Sequence, residues 1–116
     1  MDVETRALWT TTREAMGKTW QVQLWPDDAG LTDGKPKSEC LGKNWWAQQW
    51  VRVAAARPMD GRDATILHEL IHLANISAGT YLKENQVFAL TENLFAFLRG
   101  FGLWQDFPWP DREENA

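Results

Sequence analysis

The 116-residue chain has little of several things that usually carry function. It has one cysteine, Cys40, so no internal disulfide can form; such cysteine usage fits a reducing compartment. It has no basic excess: 12 Lys and Arg stand against 16 Asp and Glu, a net charge of -4. Phosphate backbones are bound by basic surfaces, so nucleic acid is not the expected partner. The one basic cluster, Lys35, Lys37 and Lys43, is interrupted by Pro36 and Gly42 and reads as a solvated loop. No apolar run approaches the length of a membrane span, so no membrane partner is expected. Met1 to Thr5 is polar and acidic and does not read as a signal peptide. The expected location is the cytoplasm. Histidine is scarce too, with only two residues.

Aromatic mass is plentiful. Eight tryptophans and a 44% hydrophobic fraction supply one core, so residues 1–116 are expected to form a single domain. Val3, Ala7, Leu8, Ala15 and Met16 recur at roughly helical spacing, which predicts a helix from Val3 to Met16 ended by Gly17. Thr19 to Trp25 alternates apolar and polar residues and stops at Pro26; this predicts a strand with Trp20, Val22 and Leu24 on one face. Residues 26–38 read as a loop, and 39–49 as a short strand and turn. Trp50 to Ala55 alternates again and predicts another strand. A helix is expected from about Arg62 to Ser77, capped by Asp60 and stopped by Gly79. It is apolar on nearly every side and so expected to be buried. A second, capped by Thr80, is expected from about Leu82 to Arg99.

Both histidines fall in one pentapeptide, His68-Glu69-Leu70-Ile71-His72. On a helix, residues four apart share a face, so two imidazoles can bind one metal ion from the same side. The glutamate next to the first then lies near the water that completes the coordination sphere, the core of a zinc hydrolase site. The chemically inert alternative is a helix with two hydrogen-bonded histidines and a surface glutamate.

Zinc needs a third protein ligand. Ala78 stands where the H-E-x-x-H-x-x-G-x-x-H pattern has its third histidine, and Asn75 replaces the glycine, so that variant is excluded. The ligand must be Asp, Glu or Cys40. Glu84 falls among Phe88, Thr91, Phe95 and Leu98 on the second helix, where an unpaired carboxylate in an apolar stripe would be costly. Glu92 lies roughly 80° further round, where solvation is easy. The energetics favour Glu84, with Glu92 the alternative and Cys40 behind both.

The segment Thr65 to His72 resembles the start of the active-site helix in small gluzincin-type metallopeptidases. Glu84-Asn85-Gln86-Val87-Phe88-Ala89 resembles the E-x-x-x-F-A stretch of the ImmA/IrrE group. The resemblance spans Trp50 to Arg99. It implies a minimal zincin-like α+β fold with a small, mostly antiparallel sheet, Trp50 to Ala55 being an edge strand beside the cleft. It implies Zn²⁺ held by His68, His72 and Glu84, with Glu69 as general base, and hydrolysis of a peptide or protein substrate. Similar short proteins occur in phages and prophages, which would place this one in a bacterial cytoplasm. A zinc-binding regulatory or interaction protein of the same fold, with little or no peptidase activity, is the competing expectation. Tyr81, Asn75 and Arg99 are candidates to help stabilise an oxyanion. Trp45, Trp46 and Trp50 could shape a cleft, and the Phe101 to Trp109 tail could cross the first helix or shield the site.

Overall fold

The computed structural model describes residues 7–26, 42–55 and 59–111. They form an α+β domain of four strands and two helices: β1 (Trp9–Ala15), β2 (Lys18–Trp25), β3 (Gly42–Trp45), β4 (Trp50–Ala54), α1 (Met59–Ala78) and α2 (Glu84–Gly100). The sheet order is β1-β2-β4-β3; β1–β2 and β3–β4 are antiparallel and β2–β4 is parallel. Two of three pairings are therefore antiparallel, as expected.

Over the described residues 7–16 the expected N-terminal helix is replaced by a strand. Residues 9–15 are a strand, paired from Trp9↔Leu24 to Ala15↔Lys18. Three successive threonines, Thr10 to Thr12, are stiff at χ1 and fit a pleated surface better than a helix. Met16 and Gly17 have φ of 57° and 73°, the two positive angles of a tight hairpin turn whose twist matches the strands. Gly17 thus closes a hairpin instead of ending a helix. Val3 lies outside the described residues.

Along β2 the predicted alternation holds: Trp20, Val22 and Leu24 are buried on one face. In register beside them lie Val51 and Val53 of β4. This face packs against Ile66 and Leu73 of α1. Trp46 meets Trp20 edge to face at 5.5 Å. Trp50 points to the other face, where the Arg52 guanidinium lies between its ring at 3.8 Å and that of Trp25 at 4.5 Å. Trp46 and Trp50 are therefore split between two faces and do not line one cleft, while the Trp45 side chain lies outside what the structure describes. Nor is β4 an edge strand. It lies between β2 and β3, so its backbone groups are already used, and strand addition of a peptide there is ruled out.

α1 begins at Met59, so Asp60 lies inside its first turn and is not the cap. It ends where expected. Gly79 takes φ 71°, its N–H bonds to Ile76 O, and Thr80 N–H bonds to Asn75 O, a left-handed C-terminal stop. The helix is less buried than its composition suggests, since Leu70 and Ile76 are exposed. Between α1 and the sheet lies an apolar cavity of about 450 Å³, walled by Trp20, Trp46, Val51, Ile66, Leu70 and Leu73 among others. Among the described residues no helix is long and apolar enough to cross a membrane.

The chain after α2 is tied down by one carboxylate. Asp63, fully buried on α1, accepts from Trp109 Nε1 at 2.8 Å, Trp104 Nε1 at 3.3 Å and Phe107 N–H at 3.4 Å. Next to it, Arg62 makes two bonds to Asp111 at 2.7 and 3.0 Å and one to Ala55 O. Phe107 and Trp109 then pack on Trp9 of β1. The tail thus crosses the segment expected to lie beneath it, which is a strand and not a helix. Asp63→Ala strands two indole N–H groups and should cost about 3 kcal/mol in urea unfolding. Asp63→Asn, which keeps one acceptor oxygen, should cost less. Equal losses for the two would show that the carboxylate does not anchor the tail.

Candidate metal centre

At about 100° per residue, His68 and His72 share a line on α1 that lies roughly 130° round from Ile66 and Leu73. The latter pair faces the sheet, so the histidines face away from it, toward α2. The two helices are joined by Gly79 to Lys83. Contacts of Glu84 with His72 and of Thr91 with His68 show α2 running back along α1. Asn75 shapes that turn: its Oδ1 accepts from Thr80 Oγ1 and from Leu82 N–H. Gln86 Oε1 then accepts from Lys83 N–H at 2.8 Å and starts α2. Lys83, not Thr80, is the capping residue.

Glu84 is the first residue of α2, and its carboxylate spans both histidines. Oε2 lies 3.1 Å from His68 Nε2 and Oε1 lies 2.8 Å from His72 Nε2. One ligand atom from each of the three residues lies within 4.8 Å of the others. Two imidazole nitrogens and one carboxylate are a donor set that zinc accepts. Lone pairs of nitrogen and oxygen cannot meet at about 3 Å without a proton or a cation between them. Thr91 bears on which. Its hydroxyl donates to Val87 O at 2.7 Å, so toward His68 Nδ1, at a long 3.4 Å, it can only accept. That favours the tautomer with the proton on Nδ1 and a free lone pair on Nε2, the arrangement metal-binding histidines commonly show.

The residues expected from sequence are therefore brought together at His68, His72 and Glu84, but the reason given for Glu84 fails. Its side chain is 71% exposed, not embedded in an apolar stripe. It lies at the solvent end of the line whose buried members are Val87 and Thr91. Glu92, the alternative, is exposed and sits about 12 Å further along α2, away from the cluster. Cys40 lies outside the described residues. Glu69 is buried and falls about midway between the histidine line and the sheet-facing line of α1. Of the candidate oxyanion donors, Asn75 is engaged in the turn and Tyr81 stands in solvent just before α2. Arg99 stacks on Phe95, about 22 Å along the helix from Glu84. Sequence reasoning missed Thr91. The signal was present: a lone hydroxyl in an apolar helical stripe, two turns from Glu84.

No protein-family model, curated protein or solved structure matches this chain.

Calorimetric titration with zinc tests the assignment. Thr91→Val should lower affinity about tenfold by releasing the His68 ring, and Glu84→Ala should lower it further. Glu92→Ala should leave it unchanged; a loss with Glu92→Ala and none with Glu84→Ala would reverse the choice of ligand.

Proposed function

We propose that the protein is a minimal zinc-dependent peptidase of zincin-like fold. The observation that carries this reading is the approach of one Glu84 carboxylate to both histidine Nε2 atoms, at 2.8 and 3.1 Å, across two helices. These are the only histidines in the chain, and a buried glutamate stands between them in sequence.

His68, His72 and Glu84 would hold the metal. When bound there, zinc would supply Lewis acidity to a water molecule and to the carbonyl of the bond to be cut. Glu69 is the group that takes the proton from the attacking water and returns it to the leaving amine. Its place on α1 suits that role. It is one residue from His68 and withdrawn from bulk solvent. Thr91 holds the His68 ring by accepting from Nδ1. The exposure of Glu84 leaves the site open to an extended polypeptide chain.

A second reading has its own observation. The large apolar cavity lies under the opposite side of α1, lined by Leu70, Leu73 and Ala74 and not by the histidines. A metal site whose carboxylate is 71% exposed, on the side of α1 away from that cavity, suits a zinc-binding regulatory or interaction protein with little peptidase activity. Glu69 separates the two readings, because a purely structural site has no use for a general base.

Zinc stoichiometry and hydrolysis of a mixed peptide library, measured side by side, provide the test. Glu69→Gln should retain zinc and lose about 10²- to 10⁴-fold in rate. Removal of zinc by a chelator should abolish the rate, and re-addition should restore it. A Glu69→Gln protein as active as the native one would sink the mechanism. A chain that takes up no zinc would sink both readings.

A further inference from the structure

α2 carries a second apolar line, which the fold leaves in solvent. Leu90, Leu94, Phe97 and Phe101 are between 39% and 74% exposed. Their spacing of four, three and four residues puts them on one side of the helix. Phe101 still has right-handed helical angles, and its ring lies 6.2 Å from that of Phe97, so the line is continuous. It is turned about 70° from Val87 and Thr91, which face α1, and so does not cover His68, His72 or Glu84.

Size and pattern both identify what this line fits. It presents about 400 Å² of apolar surface, taking roughly 200 Å² for a fully exposed aromatic and slightly less for leucine. That is the size of the largest patch a typical monomer leaves in water. A standard interface covers about 800 Å² on each partner, and in homodimers about 65% of it is apolar, about 500 Å², most of which these four side chains supply. The spacing is also its own mirror image. With a two-fold axis between Phe95 and Ala96, an antiparallel second α2 sets Leu94 against Phe97 and Leu90 against Phe101, each pair occurring twice. No charged residue interrupts the line, so pairing buries no like charges.

We infer that the partner of this surface is a second copy of the chain, giving a two-fold dimer built on antiparallel α2 helices. The inference is independent of the metal centre, whose histidines lie on α1 and whose Glu84 lies on another side of α2. Sedimentation velocity of the full chain, with and without zinc and across a concentration series, should give twice the 13.3 kDa chain mass. Leu94→Lys and Phe97→Glu should each yield monomers with unchanged far-UV circular dichroism. The double variant should dimerise again, because position 94 of one helix then meets position 97 of the other as an ion pair. If either single variant loses its helical signal, the outer pair, Leu90→Lys with Phe101→Glu, runs the same cycle. A native monomer throughout, a dimer indifferent to these charges, or a double variant that stays monomeric would each overturn the arrangement. A native monomer that co-sediments with anionic phospholipid vesicles would overturn it too and give the stripe to a membrane surface.

Discussion

The candidate metal centre depends on the carboxamide of Asn75. It stands one turn beyond His72 near the end of α1, and its oxygen gathers the hydroxyl of Thr80 and the N–H of Leu82. Its backbone carbonyl takes the N–H of Thr80. With Gly79 in the left-handed region, these bonds turn the chain within five residues and set it back along α1. Glu84 is then the first residue of α2, so its carboxylate lies where the helix dipole favours negative charge. It arrives over the histidine line because the turn is tight, and a looser connection would leave its position to chance.

α1 has to serve two neighbours, and its sequence divides accordingly. Ile66 and Leu73 face the sheet, His68 and His72 face α2, and Glu69 lies between the two lines. This division explains the different exposure of the two glutamates. Glu84, at the outer end of the α1–α2 seam, keeps most of its hydration and can bind a cation without a large desolvation cost. Glu69, on the sheet side, is withdrawn from water, where a carboxylate is held by specific neighbours or not at all.

Much of this is legible from residues alone. The strict alternation in Trp20 to Leu24, the left-handed stop at Gly79 and the four-residue spacing of the histidines are local facts, and local facts survive folding. What the residues do not reveal depends on partners. Ala7, Leu8, Ala15 and Met16 suit a helix by spacing. Thr10 to Thr12 and the Met16-Gly17 turn suit a hairpin, and β2 is available as the pairing partner. The edge position of β4 is implied by the resemblance alone, and nothing in its own sequence reveals the parallel contact with β2, a strand more than twenty residues earlier. Glu84 is favoured by periodicity for a burial it does not have; its distance to the histidines comes from the turn, which no periodicity argument contains. Asp63 likewise looks like a first-turn acid, and its bonds to two tryptophans more than forty residues later are invisible in the sequence.

α2 is the lightly held element of the domain. It packs on α1, and only Val87 and Thr91 along it are buried. Beyond that seam it is retained by the Trp104–Phe95 contact, through a tail that Asp63 anchors. Under the metal reading, an ion shared by His68, His72 and Glu84 would join the two helices at the other end of the seam, so that ligand binding and the docking of α2 become one equilibrium. Local stability should then be lowest where the apolar contacts are fewest. In this chain that place is the helix carrying Glu84, so the residues that meet the two histidines also decide how firmly the last layer is attached.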